Sequence, residues 1–438
     1  LRPREEQALV ELGTTRFARG TRLLLIGVFL AIIATVPLFE SIADYRSNIQ
    51  TRKTMLASGG PLSLMPGRRP RFFNVFGLFP SVGDVFAARG PRQWKRLLPT
   101  PKALRAFEDD LLLKSAFGKQ VRPWAQWMLT RWLGTGSQKV LYGSDRWLYY
   151  SDGVQYVVGD GFLDSSQLAR RANEGFDPDP RPAIIQLHNE LKALGITLVV
   201  LPVPDKAVVR PASLSRSQSF DRPVQNASWD AFAADLRRHG VLFLDLAQAM
   251  FDAERGGAPQ FIRGDSHWSA AGIDVAAKAL AQLLTSQTGA ALIYPKRYER
   301  RGGQVDHVND LVILLDLPSS RANAFGLHEV VPVQQVIDSA GQPWHPDSAS
   351  GILLIGDSFL EAFSTGPAPV AAGLAEQVSY YLQQSVDRTA GHVFDALYVR
   401  QPLGASLGEL RQRTRGRKVI VMEFAMRTLA VANWPVLH

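Results

Sequence analysis

Three stretches of this chain are apolar at successive positions with hardly a break: ITLVVLPVP at residues 196–204, GILLIG at 351–356 and KVIVMEFA at 418–425. A strand with one wet face alternates between apolar and polar residues, so unbroken runs mean burial on both faces, as in a parallel sheet covered by helices. Parallel strands need crossover connections, and the intervening sequence supplies them. Helical periodicity runs through residues 183–194 and stops at Gly195, a second helix starts after Ser269, and a third runs through 371–382. With the further β-prone run VLFLDL at 241–246, this alternation predicts an α/β fold built as a three-layer α/β/α sandwich. Upstream, KVLYGSDRWLYY at 139–150 reads as a β-hairpin turning at Gly143, Ser144, Asp145 and Arg146.

In such sheets functional groups collect beyond the carboxyl ends of the strands. Two stretches stand there. The strand GILLIG runs straight into Asp357-Ser358-Phe359, presenting a serine at a strand-to-helix turn. Gly, Asp and Ser are also ordinary turn and cap residues, so Ser358 reads equally as a helix cap until a base is found for it. The second stretch, FIRGDSHWSAAG, sets Asp265 and His267 two residues apart on a loop, with Ser269 as N-cap of the helix that follows. A serine hydroxyl becomes nucleophilic when an imidazole takes its proton, and a carboxylate must hold that imidazole in one tautomer. Asp265, His267 and Ser358 provide those three groups, and the backbone N–H of Ser358 is placed to help stabilise an oxyanion. Of the eight histidines only His267 lies in such a motif, and the absence of cysteine excludes thiol nucleophiles and Cys-based zinc sites.

GDSHW before a helix, followed some ninety residues later by LLIGDSF, resembles the exopolysaccharide O-acetyltransferases of the alginate acetylation type, whose fold is SGNH-hydrolase-like. KVLYGSDRWLYY is similar to that family's early hairpin, LVVLPVPDKAVVRP to its Pro-x-Lys strand end, and VIVMEFAMRTL to its closing strand. The resemblance covers roughly residues 107–434. In ordinary SGNH esterases the serine block comes first; here, as in the acetyltransferases, the order is permuted and the spacing is Asp-x-His. The resemblance implies that Ser358 carries the acetyl group, that His267 is general base and acid, and that Asp265 orients it. It also implies oxyanion or substrate-binding roles for Asp357, Lys206, Arg400 and Arg427, each of which, like Glu423, reads equally as a structural turn or ion-pair residue. Trp268 reads as packing. The family takes its acetyl group from a membrane-bound O-acyltransferase partner and delivers it to an exported polysaccharide, with no metal or cofactor. An acetyl esterase with the same triad and a non-catalytic scaffold of an acetylation complex are the competing readings. The residues leave the polymer open, alginate and cellulose included.

The N-terminal region reads differently. Residues 23–39, LLLIGVFLAIIATVPLF, carry no charge and reach the lower length for a transmembrane helix; Arg16, Arg19 and Arg22 precede them. The positive-inside rule then leaves residues 1–22 cytoplasmic and sends the remainder to the periplasm, as a single-pass protein of the bacterial inner membrane. A cleaved signal peptide shares the basic flank and apolar core, though no A-x-A site follows. Between residues 45 and 105 twelve Lys or Arg stand against one acid, Asp84, interleaved with Phe72, Phe73, Phe76, Phe79 and Phe86. No nucleic-acid-binding motif accompanies this cluster. Its position predicts a membrane-proximal docking segment over residues 40–105, ahead of a catalytic domain over 106–438.

Overall fold

In the computed structural model the described residues are 19–57, 100, 104–106, 115–215, 218–288, 296–365, 370–390, 403 and 406–436. The chain divides into two units, one ending at Ala125 and the other running from Gln126. In the first, the uncharged run 23–39 lies inside a single helix, Arg19–Ala57. Among the described residues no helix is long and apolar enough to cross a membrane. Near the end of the apolar run, Glu40 accepts hydrogen bonds from the Ser115 hydroxyl and the Phe117 N–H (2.7 Å), and Phe39 meets the Phe117 ring edge-on at 6.0 Å. Most of the basic, aromatic stretch expected to dock, including Phe72, Phe73, Phe76, Phe79 and Phe86, lies outside the described residues, as does Arg400.

The second unit opens with the expected hairpin: β1 (Val140–Tyr142) pairs antiparallel with β2 (Leu148–Tyr150). Its turn holds Asp145 and Arg146 at φ of 54° and 62°. Two consecutive left-handed residues match the right-handed twist of the flanking strands, a geometry in which Asn and Gly are usual.

The central sheet has five strands, all parallel, in the order β4 (Leu242–Phe243), β3 (Thr197–Val203), β9 (Val419–Ala425), β7 (Ile352–Gly356) and β8 (Asp387–Ala390). β9 lies at its centre, pairing Thr197 and Ile352 on either side with Val419. Every residue of β9 and of β7 is buried, which explains why their sequences do not alternate. Side chains such as Ile420, Val421 and Phe424 contribute about 1.5–3 kcal/mol each when fully withdrawn from water. The connections are helical. Pro180–Ala193, started by an Asp179 side chain that accepts from the Arg181 N–H, packs on β3, while Ala270–Thr288 packs against Leu374–Leu382.

β5 (Tyr298–Val308) and β6 (His328–Asp338) form a long antiparallel ribbon outside the main sheet. Their link carries the short helix Asp310–Leu314, whose Leu311 and Val312 form a small second core with Val140 and Leu148 of the hairpin. Ribbon and hairpin thereby meet beside the loop that holds His267.

Candidate active site

β7 ends at Gly356 and the chain turns at once into a one-turn helix, Ser358–Glu361. The turn is fixed from two sides. Asp357 caps the helix by accepting from the Phe359 N–H (2.9 Å), and its other oxygen accepts from the Ala425 N–H at the end of β9 (2.9 Å). Glu423 of β9 accepts from the Asp357 N–H (3.1 Å), and a Cβ on Gly356 would stand 2.2 Å from that carboxyl oxygen, so only glycine lets the strands approach this closely. Burial, reinforced by the Asp357 charge, pushes Glu423 well above the ordinary carboxylate range.

The His267 loop is held as firmly. Phe261 and Trp268 form a β-bridge across its base, and the fully buried Trp268 donates its indole N–H to the Phe359 carbonyl (3.1 Å), tying the histidine loop to the serine turn. Across this junction Ser358 Oγ–H donates to His267 Nε2 at 2.8 Å, and His267 Nδ1–H donates to Asp265 Oδ1 at 2.7 Å. Because the ionised carboxylate can only accept, Nδ1 carries the proton and Nε2 is left free to take one from the serine.

The ribbon completes the site with two residues that carried no motif. His307 of β5 donates from Nε2 to the second Asp265 oxygen (2.9 Å), which also accepts from the Asp310 N–H (2.9 Å). Asp310 in turn accepts from the Ser266 N–H (2.7 Å) and hydroxyl, and its carboxylate lies 3.7 Å from His267 Nδ1. Burial alone would raise the Asp265 pKa, but the hydrogen bonds from His267 and His307 hold it well below the usual range. For His267 burial pulls downward, while the Asp265 hydrogen bond and charge, with Asp310 behind them, carry the net shift above the ordinary value. The result is a base stronger than a free imidazole. Asp265, His267 and Asp310 also bring ligand-type atoms within 4.8 Å of one another, yet those atoms are engaged in the hydrogen bonds just described.

A sequence family fits this arrangement. The profile of the SGNH hydrolase-like domain of acetyltransferase AlgX matches residues 140–397. The chain belongs to that family. It is 25% identical over 229 residues to the probable alginate O-acetylase AlgJ of Pseudomonas fluorescens, a match covering 51% of this chain and 54% of the relative. To the alginate biosynthesis protein AlgX of Pseudomonas aeruginosa it is 32% identical over 117 residues, 26% of this chain and 24% of the other. The chain thus spans about half the length of the first of these curated relatives and a quarter of the second. Among solved structures, the O-acetyltransferase domain of Pseudomonas putida AlgJ superposes with a TM-score of 0.51 at 22% identity, covering 67% of this chain and 93% of that one. What that likeness shares is the SGNH-like α/β fold.

Among the described residues, the other polar side chains singled out from sequence, Lys206, Arg427 and Asp357, are engaged internally. Lys206, buried just beyond β3, donates to the carbonyls of Leu148 and Ile262 (2.8 Å each), Arg263 (3.2 Å) and Asp265 (2.5 Å), so that one ammonium group gathers the hairpin and the His267 loop. Burial drives its pKa down to about 7, against the pull of Asp265 and Asp310. Arg427 follows β9 and forms a buried pair with Asp205, giving its backbone N–H (2.8 Å) and its guanidinium (2.6 Å) to the same carboxylate. The guanidinium also lies 5.5 Å from the Phe359 ring centre, beside the serine. Asp357 spends both oxygens on backbone N–H groups. These three build and brace the site, and a direct contact with substrate would have to come from the faces of these groups that remain open.

Proposed function

We propose that this chain is a periplasmic O-acetyltransferase that moves acetyl groups onto hydroxyls of an exported polysaccharide through a Ser358 acetyl-enzyme. The observation that carries this reading is the unbroken line from Asp265 Oδ1 through His267 to Ser358 Oγ, with contacts of 2.7 and 2.8 Å. As Ser358 Oγ attacks the acetyl carbonyl, His267 Nε2 takes its proton, and Asp265 stabilises the imidazolium that forms. The Ser358 N–H, at the start of its helix, is the donor for the developing oxyanion. His267 then gives the proton to the departing donor group, leaving an ester on Ser358. In the second half a sugar hydroxyl loses its proton to His267 and attacks that ester, and the proton returns to Ser358.

The relatives named as alginate O-acetylases support a polysaccharide as acceptor. Tethering to the bacterial inner membrane, and a membrane-bound O-acyltransferase as acetyl source, belong to the same reading. Their support is the uncharged run 23–39 with arginines ahead of it, and the basic stretch behind it.

The test is intact-mass analysis after incubation with an activated acetyl ester. An acetyl adduct on Ser358, absent in Ser358→Ala and in His267→Ala, is expected, and an oligosaccharide added afterwards should discharge it faster than water does. Acetylation undiminished in Ser358→Ala overturns the mechanism. Discharge at the same rate with and without oligosaccharide makes the protein an esterase instead.

A further inference from the structure

The helix Ala116–Leu133 shows solvent a face that surface helices usually keep for the core. At 3.6 residues per turn, Phe117, Val121, Trp124, Met128 and Trp132 fall within about 80° of its circumference. All five are exposed, Trp124 by 45% and Trp132 by 70%. The helix packs through its other side: Thr130 is buried, and Trp127 rests on the small core of Val140, Leu148 and Leu311. The stripe is therefore an apolar surface left over after the core is made, and a contiguous one marks a contact.

Its composition and the place where the helix starts say with what. Tryptophan is the residue of the bilayer interface, and a helix with aromatic and aliphatic residues on one side and cations around the rest lies in that plane. None of the 18 residues is acidic, while Arg131 and Arg122 flank the stripe on opposite sides and Lys119 lies further round, all three exposed. That charge complements anionic lipid headgroups. A second copy packed stripe to stripe would bring these cations together with no acid on either helix to pair them. The helix also starts beside the uncharged run 23–39. Phe39 meets Phe117, the first residue of the stripe, edge-on at 6.0 Å, and Glu40 accepts from the Phe117 N–H and the Ser115 hydroxyl.

Building on the proposed membrane tether, we infer that this helix lies on the bilayer surface, its stripe sunk below anionic headgroups, and holds the chain to the membrane at a second point beyond residues 23–39.

The chain has no cysteine, so Met128→Cys gives the full-length protein a single thiol for an environment-sensitive fluorophore, and Asp230→Cys, exposed on the helix Trp229–Arg238, gives a reference. Both are reconstituted with vesicles of phosphatidylethanolamine and phosphatidylglycerol, and flotation reads the tether by itself. In the floated protein the label at position 128 is expected to emit to the blue and to be shielded from aqueous iodide, while the label at 230 stays water-like. Relative to vesicles of phosphatidylcholine alone, the docked-to-undocked ratio should rise about fivefold for each cation near the surface, and fall again with salt. Val121→Glu with Trp132→Glu, added to the chain labelled at 128, should still float and melt near the native temperature, since both side chains are exposed, yet return the label to water. A floated chain whose label at 128 emits as in water overturns the docked helix and leaves the tether standing. A chain that does not float refutes the tether, and the docked helix with it. Ready oxidation of the unlabelled thiol at 128 to a disulfide-linked dimer in the vesicles assigns the stripe to a second copy and overturns the lipid contact.

Discussion

Replacing Asp265 by asparagine changes the shape of the site little and its electrostatics a great deal. The Asp265 side chain is 2% exposed and that of His267 18%, so water screens their 2.7 Å contact only weakly. At an effective dielectric constant near 20, a carboxylate and an imidazolium at that distance attract by about 6 kcal/mol. Asparagine keeps only a dipole there. It also offers one acceptor oxygen to four donors, the His267 N–H and Nδ1–H, His307 Nε2–H and the Asp310 N–H, and its own N–H₂ faces the rest. If that amide donates to Nδ1, the proton moves to Nε2 and the imidazole faces Ser358 in the wrong tautomer. Much of the attraction is realised only as the imidazolium forms, so a loss of about 10³–10⁴ in acylation rate is expected, corresponding to about 4–5.5 kcal/mol. The assay is single-turnover acetylation of Ser358 by an activated ester, followed by intact mass, with circular dichroism to confirm folding. The midpoint of the pH profile should fall as well, because the carboxylate that raises the His267 pKa is gone. A folded Asp265→Asn protein that acetylates within about tenfold of native, with an unmoved midpoint, would falsify this account of the triad.

Acetylation of Ser358 should rise with pH through a midpoint above the unperturbed histidine value of about 6.5, since only neutral His267 accepts the serine proton and its pKa is raised. The same raised pKa stabilises the fold fully below the unfolded value, and that contribution is lost as pH climbs through the folded midpoint; a flat rate from about pH 5 to 8, with chemistry limiting, contradicts the base assignment. Lys206→Met keeps the length of the side chain and strips three close carbonyls, those of Leu148, Ile262 and Asp265, of their donor, so urea unfolding should show a loss of about 3–5 kcal/mol, and a loss below about 1 kcal/mol refutes the clamp. Because the folded pKa of Lys206 is near 7 against 10.5 for the free side chain, folding releases a proton between these values; native stability should rise with pH across that window, a slope the methionine variant lacks. His307→Leu removes one of the donors that fix Asp265 and should slow acetylation about tenfold, with His307→Gln, whose amide can still donate, recovering most of it; equal rates in the two variants leave His307 no positioning role.

The elements read correctly from sequence are those buried on both faces: β3, β7 and β9 are apolar at nearly every position because the sheet is covered on each side, and their shortness separates them from the longer apolar run 23–39, which is helical. β8 was invisible because its sequence, Asp387-Arg388-Thr389-Ala390, has no apolar run to declare it, and among the described residues it stands at the edge of the sheet, paired with β7. The ribbon escaped for a related reason. β5 reads YERRGGQVDHV and is largely exposed along its length, so neither period 2 nor continuous hydrophobicity marks it. His307 and Asp310 travel with that ribbon, and nothing near them in sequence signals chemistry; they reach Asp265 only through a pairing of strands some twenty residues apart. Lys206, Arg427 and Asp357 were legible as residues of interest but not as braces, because a buried cation and a substrate-binding cation look alike until their partners are placed.

The order of motifs along the chain and the order of groups in space are separate matters, and the site shows why the first can be permuted without disturbing the second. Ser358 follows β7 directly, whereas Asp265 and His267 come 91 residues earlier in the case of the histidine, on a loop that belongs to no strand of the sheet. What brings them together is a set of short ties that ignore sequence distance: Trp268 to the Phe359 carbonyl, Lys206 to the loop carbonyls, Asp310 and His307 to Asp265. Of the four donors around the Asp265 carboxylate, two come from its own loop and two from the ribbon. The sheet therefore positions the nucleophile and the inserted ribbon tunes its base. A family that varies the ribbon while keeping the sheet would alter the strength of His267, and whatever the ribbon's link contacts, without touching Ser358.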